Sequence, residues 1–298
     1  MTLPDAWTDQ KTLVLGTALW GWGVDRSTAY QMLERFLSLG YRIVDTATNY
    51  PINKRPEDFG LAVNWIADWI ASNGTDELSL LVKVGATENM GGSSADLGAV
   101  SILNSEAFLR NKFGAALAGV AVHWDNRGDD ESDLIAETTD AMVKLQASGL
   151  SIGFSGVRHP GLYLKAAPEL SDKWWIQVKE NAMSSTARLE CQKYFPKARY
   201  LAYGINMGGI KSEPSTGNGS LALRGIKYEN NLVAQLSKSI TSNHELEPAP
   251  KNLNELALSH SYRNPALSGV IVGPRNIEQL DGTMCFWKRL KEECLPST

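Results

Sequence analysis

Arg42–Pro51 reads RIVDTATNYP. It begins as a buried strand should, with Ile43 and Val44, and then turns polar at Asp45, Thr46, Thr48 and Asn49 before reaching Tyr50. A core strand that delivers a carboxylate and then a phenol at its C-terminal end needs partners for both groups. Neither partner lies within the stretch, so they must come from elements that follow it.

Outward from this strand, short apolar runs alternate with amphipathic helical stretches. Strands are predicted at residues 12–16, 42–46, 78–85, 119–125, 150–155, 174–179, 199–203 and 269–273. Helices are predicted at 28–39, 57–72, 105–113, 132–148, 161–167, 188–195, 229–239 and 277–291. Leu33, Phe36 and Leu37 have the spacing of a helix with one buried side, as do Leu134, Thr138, Met142 and Leu145. Gly40 and Gly149 stand where C-caps are expected. Eightfold strand–helix alternation implies a parallel sheet, either open and doubly wound or closed as a (β/α)₈ barrel. The open dinucleotide-binding sheet carries GxGxxG after its first strand. Here that place holds GTALWGWG, whose glycines have another spacing and whose Trp20 and Trp22 would crowd a pyrophosphate. The expected fold is therefore a (β/α)₈ TIM barrel, one domain over residues 1–298. Loop 204–220, rich in glycine and serine, is expected over the C-terminal face, and 241–252 is expected to be a connector.

The chain has 298 residues, 43% hydrophobic and 21% charged, with a formal charge of −4. That length can bury a sizeable core. The charge balance builds no basic face for nucleic acid or an anionic membrane, and no run reaches membrane-spanning length. MTLPDAWTDQ lacks the basic region and apolar stretch of a secretory signal, so a cytoplasmic protein is expected. Cys191, Cys285 and Cys294 are few and widely spaced, which predicts reduced thiols with no disulfide framework and no zinc site. The oligomeric state is left between monomer and weak oligomer.

In such a barrel the catalytic groups stand at the C-terminal ends of the strands. The second strand supplies Asp45, with Tyr50 in the loop after it. The third, ELSLLVKVG, sets Lys83 among Leu81, Val82 and Val84, and the fourth, GVAVHWD, supplies His123. A lysine so flanked is costly unless paired. Asp45, one strand away, is its candidate partner. Taken singly, the pair reads as a strut between strands, His123 as a core histidine and Tyr50 as a loop aromatic. Taken together, they make a proton donor. A phenol titrates near pH ~10, a neighbouring ammonium lowers that value, and a histidine can orient a substrate oxygen. Such a centre lacks only a hydride source, which a nicotinamide would provide.

GT at Gly16–Thr17, DTATNY at Asp45–Tyr50, the lysine of LVKVG and VHWD at Val122–Asp125 resemble the aldo-keto reductases in order and spacing. The resemblance implies the (β/α)₈ barrel and reduction of a small-molecule aldehyde, ketone, sugar or keto-sugar with NADPH. It implies Tyr50 as general acid, Lys83 and Asp45 as its tuners and His123 as the group that positions the carbonyl. It also implies a cofactor site of Gly16, Thr17, Ser155, Gln177, Tyr203, Gly273, Arg275, Asn276 and Gln279, with no metal. IGFSG departs from the family pattern, because Gly156 replaces an asparagine. YGINMGGIK after Tyr203 departs as well. Arg275 at a helix start could grip a 2′-phosphate. Trp20, Trp22 and Trp124 are expected to wall the substrate pocket.

Two rival readings remain at this stage. One is a metal- or phosphate-dependent barrel lyase or isomerase, against which the four histidines show no ligand spacing and HELEP lacks the second histidine of HExxH. A non-catalytic NADPH-binding regulatory or sensor protein on the same fold is the other.

Overall fold

The chain forms a closed barrel of eight parallel strands in sequence order, each joined to the next and β8 to β1. The computed structural model describes residues 11–75, 77–92, 94–207, 238 and 246–293. The strands are β1 (Thr12–Gly16), β2 (Ile43–Ala47), β3 (Ser79–Val84), β4 (Leu117–His123), β5 (Ser151–Ser155), β6 (Trp175–Lys179), β7 (Arg199–Tyr203) and β8 (Gly269–Val272). The α-helices of the described residues are α1 (Arg26–Ser38), α2 (Leu61–Asn73), α3 (Ala99–Phe113), α4 (Ser132–Ala147), α5 (Pro160–Ala166), α6 (Thr186–Gln192), α7 (Leu253–Arg263) and α8 (Ile277–Glu293).

Successive side chains of a strand point to opposite faces, and the register shows how this chain uses that rule. One set, including Leu13, Leu15, Val44, Val82, Val122, Ile176 and Val270, packs outward in the core shared with the helices. The other set fills the barrel with Val14, Ile43, Leu81, Ala121, Trp175, Leu201 and Ile271. Two residues beyond several of these plugs, on the same inward face, the chain changes character. Ile43 is followed by Asp45, Leu81 by Lys83, Ala121 by His123, Trp175 by Gln177 and Leu201 by Tyr203. An apolar layer thus carries a polar one above it, at the C-terminal end of the barrel.

The helices close the outer layer through one face each. In α1 that face is Ala29, Met32, Leu33, Phe36 and Leu37. Burying each large apolar side chain stabilises by roughly 1.5–3 kcal/mol before entropy is counted. Phe154, Tyr163, Trp174 and Phe195 form an aromatic cluster behind β5 and β6, with ring centroids 5.6 to 6.3 Å apart. Gly40 and Gly149 follow α1 and α4 at φ 84° and 92°, in the left-handed geometry expected of them.

The strands agree with expectation to within two residues at each end, and four helices do not: α2 begins at Leu61, four residues after the predicted start, α6 ends at Gln192, three residues before the predicted end, and α3 and α7 depart further. α3 begins at Ala99, six residues before the predicted start, behind Gly98, which makes no side-chain cap. α7 was not predicted. Its cap pattern is legible in retrospect: the Asn252 side chain accepts from Glu255 N, and Glu255 accepts from Lys251 N. The predicted helix 229–239, apart from residue 238, lies outside the described residues, as do residues 208–220 of the loop expected over the C-terminal face, residues 241–245 of the connector and Cys294. Cys191 and Cys285 are free thiols. No helix of the described residues is long and apolar enough to cross a membrane.

Gly153 makes room for the largest interior plug. A Cβ there would lie 2.4 and 2.5 Å from the Trp175 indole and 2.5 Å from its carbonyl oxygen. Gly153→Ala should therefore cost about 1–3 kcal/mol, read from the midpoint of urea unfolding. An unchanged midpoint would show that the interior yields freely at this level.

Candidate active site

The polar layer gathers around one carboxylate. Lys83 Nζ donates to both Asp45 oxygens at 2.6 Å, and Gln177 Nε2 donates to Oδ1 at 2.5 Å. The Lys83 and Asp45 side chains are 1% and 4% exposed, so the pair is withdrawn from water. Burial pulls the Lys83 ammonium below the ordinary lysine value, and Asp45 opposes that pull. Thr17 fixes the backbone beneath, since its hydroxyl and its N–H both donate to the Asp45 carbonyl at 3.1 and 3.0 Å. Gly16, the last residue of β1, pairs with Asp45 in the register.

Tyr50 leans over this pair. Lys83 Nζ is 4.9 Å from the centre of its ring, and the His123 ring meets it edge-on with centroids 6.0 Å apart. Its loop is fastened at both ends. Thr48 N donates to Lys83 O, Tyr50 N to Ala47 O and Ala62 N to Tyr50 O, at 2.9, 3.1 and 3.2 Å. The Asn49 amide reaches across to Glu88 O at 3.0 Å, tying the loop to the Ala86–Ala95 hairpin turn. That cross-link was not anticipated, because nothing in the spacing of Asn49 and Glu88 announces that their loops touch.

His123 is buried, and its Nδ1 has no hydrogen-bond partner. Burial, reinforced by the Lys83 charge, holds its pKa well below the ordinary 6.5, so it is neutral at physiological pH. Trp124 follows with φ 61°, a left-handed conformation uncommon for so large a side chain. Several bonds hold it there. Trp124 N donates to Ser155 O at 2.9 Å, and the next side chain, Asp125, is gripped by Arg127 at 2.9 and 2.7 Å and by the Tyr163 hydroxyl at 2.6 Å. These hydrogen bonds hold the Asp125 carboxyl below its ordinary value against the opposing effect of burial. The Trp124 indole packs 4.3 Å from the His123 ring and fills the space beside Gly156, where a Cβ would lie 2.9 Å from Trp124 Cδ1.

The other predicted residues are distributed around this centre. Ser155 ends β5 between His123 and Gln177 in the register. Tyr203 ends β7 against the barrel interior. Gly273 stands open after β8, where a Cβ would meet nothing within 4 Å. Asn276 and Gln279 cap α8, with Gln279 N donating to Asn276 Oδ1 and Arg275 N to Gln279 Oε1 at 2.9 and 3.0 Å. Arg275 Nε is buried without a partner. Trp22 is partly buried, packed on the core. Trp20 is fully buried within that core, which corrects its expected place in the substrate pocket: the indole faces no open space. Among the described residues no cluster of three metal-ligating side chains occurs.

The sequence model of the Aldo/keto reductase family matches residues 12–294. The chain belongs to the aldo/keto reductase family. The match places the chain in a family of oxidoreductases, whose members generally use NAD(P)H on small-molecule carbonyl compounds. It is 31% identical over 75 residues to protein tas of Escherichia coli (strain K12) and of Shigella flexneri, a match covering 25% of this chain and 22% of each relative. The chain thus spans about a fifth of the length of these curated relatives. Two solved structures, each of a candidate aldo-keto reductase from Pseudomonas aeruginosa, superpose with a TM-score of 0.61 at 17% and 18% identity, covering 94% of this chain and 90% of theirs. At that identity the likeness is one of fold.

Two consequences of the geometry can be measured. Lys83→Met would strand the Asp45 carboxylate in the interior and should cost about 3–5 kcal/mol in chemical denaturation, part of it recovered when Asp45→Asn is added. A loss below 1 kcal/mol, as for an exposed pair, would contradict the burial. His123 is neutral when folded but takes up a proton near 6.5 once unfolded. The unfolded state therefore binds more protons below that pH, and stability rises with pH by at most about 1.4 kcal/mol per unit from this group. His123→Phe should flatten that slope between about pH 5 and 6.5; an unaltered slope would assign it to other groups.

Proposed function

We propose that the protein is an NADPH-dependent reductase of aldehydes or ketones, including small aldehydes, sugars or keto-sugars, with Tyr50 as general acid. The observation that carries this reading is the convergence of the buried Asp45–Lys83 pair on the rings of Tyr50 and His123.

The residues present fit a nicotinamide cofactor. The orphaned Nε of Arg275, at the start of α8, marks an arginine able to take a 2′-phosphate, and Gly273 leaves its approach clear. Ser155, Gln177 and Tyr203 would line the nicotinamide, with Gly16 and Thr17 beneath the Asp45 end of the site. Asn276 and Gln279 would act through the backbone they hold, since their side chains are engaged in the cap. When bound, the cofactor supplies the hydride.

The chain's own residues manage the charge that develops on the substrate oxygen. Tyr50 gives its proton to that oxygen. An ammonium beside a phenol favours the phenolate left behind, and Asp45 with Gln177 keeps Lys83 aimed at the ring. His123, neutral, can donate a hydrogen bond to the same oxygen without bringing a second cation into the pocket. Trp124, held over the imidazole, and Trp22 are the remaining aromatic candidates for substrate contact.

NADPH should quench the intrinsic fluorescence of both wild type and Tyr50→Phe. Turnover of an aldehyde panel should fall at least about 10²-fold in the variant, as expected for removing a general acid. Equal turnover in the two proteins would take Tyr50 out of the mechanism. Tight NADPH binding with no turnover of any carbonyl would favour a binding protein instead.

A further inference from the structure

A cleft of about 240 Å³ opens beside this centre, where the ends of β5, β6 and β7 face α6. Gln177 and Tyr203 belong to its lining and so connect it to the proposed reaction centre, while Ile176 and Val178 make part of it apolar. Two cations also line it: Arg158 in the loop after β5 and Lys179 at the end of β6. Both are exposed. Lys179 lies two residues past Gln177, on the strand face that points into the barrel mouth, and stands beside Tyr203 in the register.

The charge in this cleft is uncompensated. Other cations nearby are committed: Arg127 to Asp125, Arg188 to Glu180 and Lys193 to Glu190. The side chains of Arg158 and Lys179 have no hydrogen-bond or ion-pair partner among the described residues. The single carboxylate that lines the cleft, Glu190, is already neutralised by Lys193, whose Nζ donates to its two oxygens at 2.7 and 2.6 Å. Two free cations at the edge of a partly apolar cleft, in a chain whose formal charge is −4, make a local site for an anion.

We propose that Arg158 and Lys179 form a subsite for an anionic group on the substrate. This rests on the reductase reading and narrows it to carbonyl compounds that carry a carboxylate or phosphate remote from the reacting carbon. The guanidinium offers a planar fork to either group and the ammonium a point charge. The phosphates of the cofactor share this chemistry, so the test separates the two sources.

The probes are 4-carboxybenzaldehyde and the neutral, similarly shaped 4-nitrobenzaldehyde, with wild type, Arg158→Ala, Lys179→Ala and the double variant. In the double variant the ratio of kcat/KM for the anionic over the neutral aldehyde should fall about tenfold, mostly through KM for the carboxylate. In wild type the same ratio should fall as salt is raised. A ratio unchanged by the substitutions overturns the subsite and leaves the reductase reading intact. An equal weakening of NADPH binding in the double variant, read by fluorescence, assigns the cations to the cofactor and also overturns the proposal. If wild type reduces neither aldehyde, the reductase reading fails, and calorimetric binding of 4-carboxybenzaldehyde decides the subsite alone. Binding lost in the double variant supports it, and equal binding refutes it.

Discussion

Asp45 and Lys83 are buried against each other inside a barrel, above a layer of apolar side chains that includes Ile43, Leu81 and Trp175. Removing either ion from water carries a penalty of several kcal/mol, and only close, multiply bonded geometry offsets it. That geometry is present, with two contacts from the ammonium and a third donor from Gln177. The pair therefore constrains its surroundings. Any movement of β2, β3 or β6 at this level would expose an unmatched charge. The Tyr50 loop, hydrogen-bonded to β3 through Thr48 and Lys83 O, inherits this rigidity.

The same layer shows how one buried cation serves several groups. Lys83 stands under the Tyr50 ring and also helps hold His123 neutral. In the proposed reaction the two rings would meet one substrate oxygen in different protonation roles. The left-handed backbone at Trp124 belongs to this arrangement. A conformation of this kind persists only when its neighbours over-determine it, and here Ser155, Arg127 and Tyr163 do so.

Much of this was legible from the chain alone. Period-two alternation places Asp45, Lys83 and His123 on the inward face at the ends of successive strands, and adjacent strands in a parallel barrel leave them little choice but to meet. Gln177 was legible as an inward residue but not as a partner of Asp45. The two are 132 residues apart, on strands that are not neighbours, and only closure of the sheet brings them together. Trp20 misled in the opposite direction. A tryptophan in a glycine-rich loop after β1 suggests a pocket wall, yet packing folds the loop inward and buries the indole. α7 follows a proline-bearing stretch with little apolar surface, and its cap of Asn252 with Glu255 is the local signal that announces it.

What the amino-acid order determined by itself was the alternation of strand and helix, the inward face of each strand and the residue types that face carries near its end. These follow from local geometry and from the cost of burying charge, both of which act over a few residues. The tertiary structure alone decided which distant groups share a hydrogen bond, that Trp20 belongs to the core, and that Arg158 and Lys179 open onto one cleft. Those outcomes depend on how the barrel closes and on where its loops come to rest. No local rule encodes the distance between residues that meet only after closure.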